Sequence, residues 1–113
     1  MTKKVNILGT EYTIAILKRE EDSFLTENNV DGYCDKTTKQ IVVRAEDETN
    51  ELGNYDVYQR ICMRHEIVHA FLFESGLHNN FEHNQWGHEE TMVDWIATQF
   101  PKMQKAFEEA DCL

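Results

Sequence analysis

Apolar residues follow two rhythms along this chain. Between Lys4 and Lys18 they alternate with polar ones, as Val5, Ile7, Tyr12, Ile14 and Ile16, with a break at Gly9-Thr10. A period of two marks strands with one buried face, so this segment predicts two short strands around a turn at Gly9. The stretch "YCDKTTKQIVVR" predicts a hairpin. Tyr33-Cys34-Asp35 enters, Lys36 to Lys39 turns, and Gln40 to Arg44 returns through Ile41, Val42 and Val43, which are β-branched as strands prefer. Between these pairs, "REEDSFLTENNVDG" is acidic, with Phe24, Leu25 and Val30 as apolar anchors, and fits either a short helix or a loop.

From about Asp56 to Ser75 the rhythm becomes helical. Val57, Ile61, His65, Val68 and Leu72 form one stripe at i+3/i+4 spacing, and Met63, Ile67, Ala70 and Phe71 form another. A helix apolar on several sides is usually a central one. Asp56 with Gln59 offers a capping-box-like start. Gly76 offers the stop, with Leu77 placed for the hydrophobic contact of a Schellman cap. A polar stretch with His78, His83, His88 and Trp86 follows. A second helix starts near Glu89, with Met92, Val93, Ile96, Ala97 and Phe100 as its core face. Trp86 and Trp95 are placed to pack it on the first helix. Pro101 ends or kinks it, and "PKMQKAFEEA" continues as a last helical piece. Strands first and helices second predict an α+β domain with a small, mainly antiparallel sheet packed on helices. The expected organisation is a single domain over 1–113: mainly strands and loops over 1–50, the first long helix over 54–76 and the second over 88–111.

Length and charge narrow the classes. A chain of 113 residues supports one modest core. No stretch approaches the roughly 18 apolar residues of a membrane span. The alternating start reads as strand and not as a signal peptide. A formal net charge of −10 disfavours nucleic-acid phosphates and anionic membranes as partners. Cys34, Cys62 and Cys112 include no CxxC pair and are odd in number. That argues against a disulfide framework and for a reducing cytoplasm. Cys34 and Cys62 read as small buried hydrophobes.

The chemistry lies in "MRHEIVHAFLFESG". Titratable side chains are costly in an apolar helix unless something compensates them. His65 and His69 are i and i+4, on one face, so their imidazoles can converge on one Zn²⁺. Glu66 sits one step around, where its carboxylate can reach a metal-bound water as general base. Two histidines do not complete the site, because a catalytic zinc takes three protein ligands and an open position. The long metzincin continuation is absent, since Leu72 and Ser75 occupy its Gly and His positions. An acidic residue of the second helix is the other route. Glu90 shares the inward face with Val93 and Ala97, and Glu89 is the second choice. Asp94, one turn on, could orient a ligand histidine. Both glutamates would equally suit a helix N-terminus with no metal at all. His78, His83 and His88 could steady a substrate carbonyl but read first as exposed loop residues. Tyr33 and Tyr55 are possible oxyanion donors, though packing explains them as well.

"HEIVHAFLFESG" followed by "EETMVDWIATQFPKM" resembles the ImmA/IrrE-type metallopeptidase domain and the smallest gluzincin-like zincins. The likeness runs from about Tyr58 to Phe107. Glu90, Asp94, Ile96 and Ala97 fall on the family's second-helix pattern, with Val93 where a small residue is usual and Asp94 where Asn is commoner. The resemblance implies a minimal zincin-like fold. It implies one zinc per chain held by His65, His69 and Glu90, with Glu66 as catalytic base, and hydrolysis of peptide or protein substrates through a metal-activated water. It also implies a setting in phages or other bacterial mobile elements. The "QIVVR" strand is the expected cleft edge for an extended substrate. The competing reading is a zincin-fold binding protein with little or no catalysis, acting by occupying a host protein.

Overall fold

A computed structural model of the chain describes residues 2–76 and 90–113, apart from the side chains of Glu90, Thr91, Val93, Asp94 and Ala97. It is a small α+β domain: strands β1 (Thr2–Ile7) and β2 (Thr10–Leu17), a 3₁₀ turn (Arg19–Glu21), helix α1 (Ser23–Asn28), strands β3 (Gly32–Asp35) and β4 (Gln40–Arg44), and helices α2 (Tyr55–Ser75) and α3 (Glu90–Glu109). No helix among the described residues is long and apolar enough to cross a membrane.

β1 and β2 form the expected hairpin, joined by Leu8 and Gly9 at φ 53° and 94°. Two positive φ values in a two-residue loop match the right-handed twist of the strands it joins. β3 and β4 form the second hairpin, with Asp35 opposite Gln40. Its turn is held by the Asp35 carboxylate, which accepts from the amides of Thr37 and Thr38. The order in the sheet is β1-β2-β4-β3, and the central pair, β2 with β4, runs parallel. The sheet is therefore mixed. The parallel pair is possible because α1 and β3 carry the chain back before β4 begins. This order corrects one expectation. "QIVVR" is β4, paired on both sides, and has no free edge. On this side of the sheet the edge strand is β3.

Val5 and Ile7, Tyr12 and Ile14, and Ile41 and Val43 pack one face of the sheet against Met63, Ile67, Ala70 and Phe71 of α2 and Met103 and Ala106 of α3. Only the second of the two apolar stripes of α2 is core. Val57 and Ile61 stand about half exposed, so α2 lies across the sheet and is not enclosed. The N-cap of α2 is Asn54, whose side chain accepts from the Val57 amide at 3.2 Å. Asp56 is inside the first turn and pairs with Arg60 at 3.1 Å, and Gln59 donates to the Arg44 carbonyl, so the capping-box reading of Asp56 and Gln59 does not hold. Gly76 ends α2 in the left-handed region at φ 77°. Its expected partner Leu77 lies outside the described residues. α3 runs unbroken through Pro101, which forgoes one i→i−4 hydrogen bond there. The chain end then docks back. Lys3 Nζ donates to the Ala110 carbonyl at 2.6 Å, and Arg64 donates to that of Cys112 at 2.5 Å.

Candidate metal centre

The middle of α2 brings His65, Glu66 and His69 together, with one ligand atom of each lying within 4.8 Å of the others. The two Nε2 atoms are 3.1 Å apart. At that distance one can donate to the other, or both can bind one cation. Two nitrogens on a tetrahedral Zn²⁺ at about 2.0–2.1 Å stand about 3.3 Å apart, so the pair is close to that spacing without rearrangement. The imidazoles meet edge to face, and His69 stacks on Phe73 one turn further along.

Glu66, one step around the helix from His65, lies under the start of β3. It is 8% exposed and makes no hydrogen bond or salt bridge among the described residues. The reason it fits there is Gly32, the first residue of β3. A Cβ at that position would stand 3.3 Å from both Cγ and Oε2 of Glu66. Burial raises the Glu66 carboxyl above its ordinary range, and the neighbouring His65 only partly offsets this. Burial lowers the His69 imidazole, and His65 lowers it further, which favours the neutral form that binds metals. A buried carboxylate with a raised pKa is better suited to accept a proton near neutrality than an exposed one.

Beside this group a cleft of about 380 Å³ opens between the start of β3 and α2, with Val30, Tyr58, Ile61 and Cys62 in its walls and His65 and Glu66 at one end. Behind it lies a polar hub. Asp31, next to Gly32, accepts from Tyr58 Oη at 2.5 Å, Arg44 at 2.8 Å and Arg19 at 2.9 Å. The hub joins α2, the end of β4 and the 3₁₀ turn to the residue before β3. Neither Gly32 nor this hub was legible as part of the site. The only sequence signal was a glycine at the entry to a strand, and glycine there can mark a close approach.

The other candidates divide. Cys34 and Cys62, expected to be buried, are only half-buried, and that partial burial pushes both thiols up. Tyr33 and Tyr55 are not free as oxyanion donors. The first donates to Asp22 at 2.7 Å and the second to the Arg44 carbonyl at 2.8 Å, on the far side of the hub. Glu90 is the first residue of α3, which packs on α2. Its side chain and that of Asp94 lie outside the described residues, as do His78, His83, Trp86, His88 and Glu89 altogether. Compared with family models, with curated proteins and with solved structures, the chain matches none.

Proposed function

We propose that the chain is a zinc-dependent metallopeptidase with a minimal zincin-like fold, of the ImmA/IrrE type that its second half resembles. The observation that carries this reading is the pairing of a buried Glu66, without a hydrogen-bond partner among the described residues, with two imidazole nitrogens 3.1 Å apart one step around the same helix. A structural histidine pair has no use for such a carboxylate, and an ordinary core would have paired or expelled it.

His65 and His69 would hold the ion, and Glu90 is the proposed third ligand on the strength of the sequence pattern. Bound zinc supplies Lewis acidity, which polarises a carbonyl oxygen and makes water a competent nucleophile at neutral pH. Glu66 takes a proton from the attacking water at its carboxylate and returns it to the nitrogen of the leaving amine. An extended substrate would pair with the outer edge of β3, which has no strand beside it among the described residues and starts over Glu66. The test is metal analysis together with peptide hydrolysis. The purified protein should hold about one zinc ion per chain. Glu66→Gln should retain it and lose hydrolysis, whereas a Glu66→Gln protein with unchanged biological activity would favour the binding-protein reading.

A further inference from the structure

The cleft beside Glu66 does not end at α2. Tyr58 and Asp31 also wall a second cleft, of about 340 Å³, which continues to Leu52 and Glu51 in the segment before α2. The two clefts adjoin at the Tyr58–Asp31 pair, so a chain laid across that pair would follow one path, here called the groove, from His65 and Glu66 to Glu51. Its surface has a specific chemistry. Ile61 and Leu52 are large and apolar, yet 48% and 50% exposed. Tyr58 offers its ring between them, its hydroxyl being held by Asp31. The cations at this wall are already matched, since Arg44 pairs with both Asp31 and Asp47 and Arg19 with Asp31. Glu51 and Glu48 are exposed and make no hydrogen bond or salt bridge among the described residues. The far end of the groove is thus left with negative charge, in a chain of net charge −10.

We propose that this groove receives an extended peptide segment with an aliphatic residue against Ile61 and Tyr58 and a basic residue at Glu51. From Tyr58 to Glu66 an α-helix rises about 12 Å, the length of about four residues of extended chain. The part of the segment against Tyr58 therefore sits about four positions from the point facing Glu66, and the basic residue at Glu51 lies further along. A chain, and not a compact small molecule, is the occupant because the groove is long and begins at an edge strand. Charge complementarity at its far end selects a cationic chain over an anionic one. That such a segment is also the substrate rests on the peptidase reading; that it binds does not.

The test uses the zinc-loaded Glu66→Gln protein and short fluorescent peptides with one leucine and one lysine, the spacing between the two being varied. Binding should be saturable and should weaken as salt rises. It should weaken about tenfold or more when the peptide lysine becomes glutamate, and likewise in Ile61→Asp and in Glu51→Lys. Glu51→Lys should in turn bind the glutamate peptide better than the lysine one. No saturable binding, or binding indifferent to both substitutions, overturns the proposal. The two readings fail separately. Wild-type protein that binds these peptides through Ile61 and Glu51 but leaves them uncut supports the groove and overturns the peptidase. Cleavage indifferent to the leucine and the lysine overturns the groove alone.

Discussion

Gly32 and Glu66 are in such close register that a single methyl group on Gly32 would lie 3.3 Å from the Glu66 carboxylate oxygen and 3.1 Å from the Val42 carbonyl. The Val42 oxygen belongs to the neighbouring strand and has little room to move, so the glutamate side chain must give way. Gly32→Ala should therefore displace the proposed base without touching a histidine. Expected are a loss of about 1–3 kcal/mol of stability from overpacking, an unchanged zinc content and a fall in turnover larger than any change in KM. Denaturant unfolding, metal analysis and peptide hydrolysis check the three together. Turnover equal to wild type would mean that Glu66 is not the base, or that its position is not critical.

The far end of α2 is anchored through Glu74. Its carboxylate accepts from Tyr12 at 2.7 Å and pairs with Lys39 at 2.5 Å, which ties the helix to β2 and to the β3-β4 turn. Lys39 holds the Glu74 carboxyl below its ordinary range against the effect of burial, with Tyr12 and Thr10 assisting. A carboxyl lowered by folding binds protons less readily in the native state. Its contribution is thus complete above the ordinary carboxylate pKa and is lost as pH falls through the lowered one. Glu74→Gln should cost about 1–2 kcal/mol at neutral pH, with the difference from wild type shrinking at acid pH. Urea unfolding of both proteins across that range measures it.

What could be read from the residues was local. The hairpin at Leu8-Gly9, the turn after Asp35 and the helix around His65 each follow from neighbouring residues and a period of two or 3.6. The parallel pairing of β2 with β4 was not legible, because no property of "QIVVR" says which of two β-branched strands it will adjoin. The exposure of Val57 and Ile61 was hidden for a related reason: helical periodicity shows that a stripe is apolar but not whether anything covers it. At the site, the spacing of His65, Glu66 and His69 was visible, and Gly32 and Asp31 were not. Both reach the site through contacts between segments far apart in the chain.

Zinc should be a folding ligand as well as a reagent. A site whose two histidines come from one helix and whose proposed third ligand comes from α3 would be weak in the unfolded chain, so binding would favour the native state. At a free zinc concentration a hundredfold above Kd the gain is about 2.7 kcal/mol. Thermal unfolding should shift upward with zinc and back with a chelator. The shift should vanish in His69→Ala and survive in Glu66→Gln. Loss of the shift in Glu90→Ala would identify the third ligand, whereas a full shift in that variant would send the search to another donor.

Asp31 offers the most demanding prediction, since it bears on stability and on the groove at once. Burial pushes its carboxyl up, but the Tyr58 hydroxyl and the Arg44 and Arg19 guanidiniums outweigh that and hold it below the ordinary range. Arg44 is buried, lies over the Tyr55 ring and has an Nε without a hydrogen-bond partner among the described residues. Removing the Asp31 charge leaves that guanidinium with Asp47 alone, at 3.4 Å. Asp31→Asn should therefore cost about 1.5–3 kcal/mol, less than a fully buried pair that loses its partner outright, because Asp47 remains. The wild-type advantage should persist above the ordinary carboxylate pKa and fade as pH drops through the lowered native value. Tyr58→Phe tests the other arm. It deletes one donor to Asp31 but keeps the ring that walls the groove, so it should cost about 1 kcal/mol and leave leucine-peptide binding nearly intact. If Tyr58→Phe instead abolished binding with little loss of stability, the hydroxyl would be a direct contact to the peptide and not a brace for Asp31.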